Sequence, residues 1–209
     1  MSALLIKDFH VLLKQLGILL IIMFVCFTVF SASIVSFALF YVAVLPITAL
    51  AYDERSRWDE LANMMPYSVN QLVGSKYVLG LLLVLGLSVF SLLARTFVFG
   101  VGPMALFKDI SAVVGEIAIP TLTVACLALL VMAVLLPFMF RFGAEKGRFA
   151  FIVMVLVFLV IYGQLESWLN VTYGITSPTV VLLLLAAVTV IVSLLSWRLS
   201  VRFYRVRRG

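Results

Sequence analysis

Seven of the 24 charged side chains in this 209-residue chain crowd between Asp53 and Lys76: Asp53, Glu54, Arg55, Arg57, Asp59, Glu60 and Lys76. Adjacent carboxylates such as Asp53-Glu54 and Asp59-Glu60 are residue types with which an intramembrane protease activates water. Here no histidine within an apolar run accompanies them, and both pairs sit in a polar loop. The single histidine, His10, belongs to the headgroup region rather than to a ligand set. No His/Cys/Asp/Glu group has metal-ligand spacing, no nucleophile elbow occurs, and no Gly-Lys-Ser phosphate loop is present. Cys26 and Cys126 lie inside apolar runs as small packing residues, with neither a disulfide nor a metal site indicated. Arg95 and Glu116 fall near the ends of apolar runs, where they pair with each other or snorkel to the boundary. The expectation is a chain with no catalytic, cofactor-binding or metal-binding residues.

The elements that carry these charges must be apolar. Hydrophobic residues make up 65% of the chain and charged ones 11%, against roughly 25% charged in soluble domains; mean hydropathy is +1.27. The apolar runs are continuous rather than alternating, so the fold class is an all-α integral membrane protein. No stretch is long enough for a soluble catalytic or nucleotide-binding domain, so residues 1–209 form a single transmembrane domain. The first apolar run ends in no small-residue cleavage site, which argues against a signal peptide. The net charge of +6 follows the membrane rather than a nucleic acid.

Residues 1–15 form an interfacial amphipathic helix, with Leu5, Phe9, Leu12, Leu13 and Leu16 on one face and Lys7, His10 and Lys14 on another. Apolar runs follow at about 16–32, 35–52, 72–94, 112–139, 149–165 and 177–197. A crossing takes ~20 residues at ~1.5 Å each, so six spans result, the first two joined at Ser31, Ser33 and Ser36. Pro120 kinks the fourth span and has no counterpart in the first half. Charge sets the orientation. Lys7, Lys14, Arg55, Arg57, Lys76, Arg141, Lys146, Arg148, Arg198, Arg202, Arg205, Arg207 and Arg208 share one side, and only Arg95 and Lys108 lie on the other. That asymmetry puts both termini in the cytoplasm. Trp168, Tyr173 and Trp197 suit interfacial anchoring.

The polar stretch between spans two and three has internal order. Trp58, Leu61, Ala62 and Met65 fall at i, i+3, i+4 and i+7, the stripe of a short amphipathic helix over 53–66. Asp53 and Glu54 stand at its start, where the dipole favours acids, and Asp53 precedes Arg57 by four. Pro66 ends the helix. Ser68 with Gln71 then has the capping-box pattern, with Tyr67 and Leu72 as its staple. This is either an ordinary loop lying on lipid or a docking surface for a partner that pushes on the spans. A second inner loop, 141–148, is short and basic; Gly143 and Gly147 permit its reversal and Glu145 answers Arg141 or Arg148.

Uphill transport by the chain alone would need midplane carboxylates or paired broken helices, and the sequence offers neither. The layout resembles the permease subunits of ATP-binding-cassette (ABC) exporters of the type-2 class. The similar features are the interfacial first helix, six spans, a charged helix after span two, Met65-Pro66-Tyr67-Ser68, Ser75-Lys76-Tyr77 entering span three, and the loop from Pro137 to Arg148. The sequence departs from that pattern at Asn70 and Gln71, where basic residues are common. The Phe-Gly-x-Glu-Lys-Gly loop and small size resemble permeases that export amphipathic peptide toxins such as phenol-soluble modulins.

The resemblance implies a dimer of this chain or of two paralogues in the bacterial plasma membrane, with an ABC ATPase subunit beneath each copy and ATP and Mg held there. It implies an ATPase contact through Asp53, Glu54, Arg55, Arg57, Trp58, Asp59, Glu60, Leu61 and Met65, with Arg141, Glu145 and Lys146 as a second contact. Pro66, Ser68, Gln71 and Lys76 would form the corner that passes movement to span three. Exporters of drugs or lipids share the architecture. An energy-independent channel or accessory membrane subunit would also explain the scarcity of intramembrane charge.

Overall fold

The computed structural model describes residues 4–12, 14, 17, 32–56, 58, 61, 64, 68–101, 110–143 and 178–208. Residues 4–12 are helical. Four long helices follow: α1 (Ala32–Arg55), α2 (Val69–Val101), α3 (Ile110–Phe142) and α4 (Pro178–Arg208). No strand occurs among the described residues. Three helical stretches, Val69–Leu93, Ala118–Phe142 and Thr179–Arg205, are long and apolar enough to cross a bilayer by length and composition. They coincide with the runs expected at 72–94, 112–139 and 177–197, and α1 covers the run at 35–52. The runs at 16–32 and 149–165 lie outside the described residues.

The helices outlast their apolar runs. α4 continues through Arg202 and Arg205 to Arg208, because a hydrocarbon layer limits the apolar length and not the helix, and the negative C-terminal end of the dipole favours cations. α1 likewise does not stop at 52. Its last turn contains Asp53, Glu54 and Arg55, and Ser56 N–H donates to the Tyr52 carbonyl at 2.9 Å. A separate helix beginning at Asp53 is therefore corrected: Asp53 and Glu54 close α1 at the dipole's negative end, where a carboxylate needs cations beside it.

α2 and α3 each pack against all three other long helices. α3 supplies much of the core, with Val131, Leu135, Leu136 and Met139 fully enclosed against Leu39 and Leu45 of α1 and Val73 and Val84 of α2. Gly80 makes the three-way crossing possible. A Cβ there would collide with Met132 Sδ on α3 and stand 2.9 Å from Pro46 Cγ on α1. Outward, α2 presents Val78, Leu81, Leu82, Leu85 and Val89, and α4 presents Leu183, Leu184, Ile191, Leu194 and Leu195, the apolar surface a lipid-facing helix needs.

Hydroxyls within the bundle are consumed locally. Thr48 donates to the Leu45 carbonyl at 2.7 Å, Ser88 to Leu85 at 2.9 Å, Ser91 to Ser88 at 2.8 Å and Thr123 to Ile119 at 2.8 Å. Such back-bonding satisfies the side chain without leaving a polar group exposed to lipid. Two serines do more. Tyr77 Oη on α2 shares hydrogen bonds with Ser196 Oγ at 2.6 Å and Ser200 Oγ at 2.8 Å on α4, and Ser196 also donates to the Ala133 carbonyl of α3. Ser196 and Ser200 thus seat α4 inside its own chain.

Candidate functional site

The N-terminal segment brings an acid into an otherwise apolar stripe. Leu4, Asp8 and Leu12 are spaced at i, i+4 and i+8, and all three are buried. Ile6 and Phe9 face outward, so the face expected through Leu5, Phe9 and Leu12 is rotated. A carboxylate only 2% exposed requires a partner, because an isolated buried charge is prohibitively costly. Lys76 of α2, itself 4% exposed, supplies it: its Nζ lies 2.7 Å from Asp8 Oδ2 and 2.6 Å from Asp53 Oδ2. Lys7 Nζ closes the group at 2.6 Å from Asp53 Oδ1 and 3.1 Å from Asp8 Oδ1. Two acids and two bases make a neutral quartet.

Trp58 covers one edge of the quartet, with Lys7 Nζ 4.2 Å from its ring centroid, a cation–π contact. Leu50, Leu72, Ser75, Phe140 and Tyr204 complete the wall around a void of about 20 Å³. The N-terminal segment, α1, α2, α3 and α4 therefore all meet at this point. The paired charges bring no nucleophile or metal-binding arrangement with them, and no metal-holding group of acids, histidines or cysteines exists among the described residues. What the arrangement can do is mechanical: its ion pairs tie the N-terminal segment, α1 and α2 in one register, with α3 and α4 packed against them.

The segment entering α2 is capped reciprocally. Gln71 N–H donates to Ser68 Oγ at 3.3 Å while Ser68 N–H donates to Gln71 Oε1 at 3.3 Å, the two bonds of a capping box. Ser68, Gln71 and Lys76 are thus placed along about two turns of helix. Beyond Trp58, Leu61 and Met64 are helical and point outward, 50% and 86% exposed. Arg57, Asp59, Glu60, Met65, Pro66, Glu145 and Lys146 lie outside the described residues.

The two segments named as partner contacts converge at their bases. α3 ends at Gly143, whose φ is +83° and whose N–H donates to the Met139 carbonyl at 2.9 Å, a left-handed helix stop. A Cβ on Gly143 would lie 2.8 Å from Glu54 Oε1, so the end of α1 rests on the end of α3. Gly143→Ala should lower the thermal midpoint in detergent by roughly 3–8 °C, since the left-handed backbone alone costs about 1–2 kcal/mol. Arg141 is exposed, its guanidinium carbon 5.3 Å from the Phe142 ring and 5.1 Å from the Phe203 ring of α4. Arg55 is also exposed; it lines a second cavity of about 220 Å³ with Val44, Ile47, Thr48, Tyr52 and Met139.

Asp8 was not legible as a site residue from type alone. Its signal was positional: an acid sharing a face with Leu4 and Leu12 implies a buried cation, and Lys76, four residues inside an apolar run, was available. Asp53 and Trp58, expected at a partner contact, each lie against Lys7 and stay partly exposed.

Compared with known protein families, residues 3–205 match the family described as ABC-2 family transporter protein. No curated protein and no solved structure matches the chain.

Proposed function

This chain belongs to the ABC-2 family of transporter proteins, and from that premise we propose that it is the membrane-spanning permease of an exporter driven by a separate ABC ATPase. Nucleotide and magnesium reside on that partner, one copy beneath each of two permease chains. Both termini are cytoplasmic, so the corner from Trp58 to Lys76 faces the ATPase in the bacterial plasma membrane. Cargo is an amphipathic or hydrophobic peptide, a reading supported by the likeness of the 141–148 loop to peptide-toxin exporters.

The observation that carries the docking assignment is the division of labour among Trp58, Leu61 and Met64, which follow α1. Trp58 lies against Lys7, whereas Leu61 and Met64, one turn apart, project their side chains outward. Exposed apolar side chains at one turn's spacing are anchors for a groove on another protein. The ATPase contact is therefore Leu61 and Met64, with Arg55 and Arg141 at its rim and Trp58 as internal support.

Leu61→Ala with Met64→Ala tests this directly. The tagged chain, solubilised from its native membrane, should retain an ABC ATPase identifiable by mass spectrometry. The double variant should keep its elution profile and lose ATPase retention by about tenfold or more, the scale expected when two anchors each worth ~1 kcal/mol are removed. Undiminished retention would transfer the docking role elsewhere on the cytoplasmic face.

A further inference from the structure

The quartet has a consequence beyond holding the bundle together. Stability alone does not account for it, since well-packed apolar residues in place of a buried ion group are often as stable or more so. Apolar contacts are non-directional and let helices slide past one another. Charge-assisted hydrogen bonds at 2.6–2.7 Å hold a single register and resist shear. Lys76 bonds to the N-terminal segment and to α1 at once, and Lys7 bonds back to α1 while lying against Trp58. A displacement of Trp58 or of the first turns of α2 therefore has no free path that leaves residues 4–12 behind.

We infer that the N-terminal helix is a moving part of the transport cycle, locked by Lys7, Asp8, Asp53 and Lys76 to the corner that receives the ATPase stroke. The inference rests on the docking reading above and extends it: residues 4–12 touch neither ATPase nor cargo, and act by position. Asp8 and Lys76 are positioning residues. Outward-facing Ile6 and Phe9 carry the movement into the surrounding lipid boundary.

The test is hydrogen-exchange mass spectrometry on the full chain with its ATPase in nanodiscs, comparing nucleotide-free complex with vanadate-trapped MgADP. Amides of 4–12 and of 69–76 should change together, by about threefold or more in exchange rate, because locked elements share one opening equilibrium. In Asp8→Leu with Lys76→Met, which removes one acid and one base and leaves Lys7 and Asp53 paired, 69–76 should still respond while 4–12 falls silent. A response in 69–76 without one in 4–12 in the wild type would overturn the inference and leave the docking reading standing. Persistence of the 4–12 response in the double variant would equally overturn it. An absent ATPase, or silence in both segments, would overturn the docking reading and the inference with it.

Discussion

Lys76→Met should be the most damaging single substitution in the described residues. It leaves the buried Asp8 and the partly buried Asp53 to share Lys7 alone, so one carboxylate loses its counter-charge in surroundings walled by Leu4, Leu50, Leu72 and Phe140. Breaking a buried pair from one side costs about 3–5 kcal/mol, which for a chain of this size corresponds to a fall of roughly 10 °C or more in thermal midpoint. The variant should therefore elute as aggregate from detergent extracts where the wild type is monodisperse. Adding Asp8→Asn to Lys76→Met restores neutrality and should recover most of the loss. A single variant as stable as the wild type would mean that the quartet is hydrated and not dry.

Gly80→Val should come second. The position lies where α1, α2 and α3 cross, and even one added carbon meets Met132 Sδ and the Pro46 ring. Met132 can shift its thioether; the Pro46 ring, held in the helix backbone, cannot. Overpacking of this kind costs about 1–3 kcal/mol for modest insertions, and valine adds two methyls beyond the first carbon, so the upper end is expected, about 6–12 °C. Gly86→Val is the matched control on the same helix, because a Cβ at Gly86 meets nothing within 4 Å. Equal midpoints for the two variants would show that the helices at Gly80 have room to part.

Both effects arise from features that a reading of residue types reaches only halfway. Ser68 and Gln71 announced their capping box because its partners are three residues apart, and local hydrogen bonds are written in local sequence. The apolar runs at 72–94, 112–139 and 177–197 were equally legible, since bilayer thickness sets a length that composition alone can satisfy. Asp53 was misplaced because its pattern fits two helices: the start of a new one and the end of the old. Its tertiary partners, 46 and 23 residues away in sequence, decide between them. The same holds for Trp58, which lies against Lys7, and for Ser196 and Ser200, whose seat is Tyr77.

What the residues determined unaided was the class of molecule: an α-helical membrane chain with few charges in its apolar runs, because burial of charge in hydrocarbon is too costly to be concealed. What only the folded chain decided was which of its charges face inward. Four ions spread over the first 76 residues become one neutral group only when three elements bring them within 3.1 Å, and Coulomb attraction falls too steeply with separation for spacing along the chain to foretell that meeting.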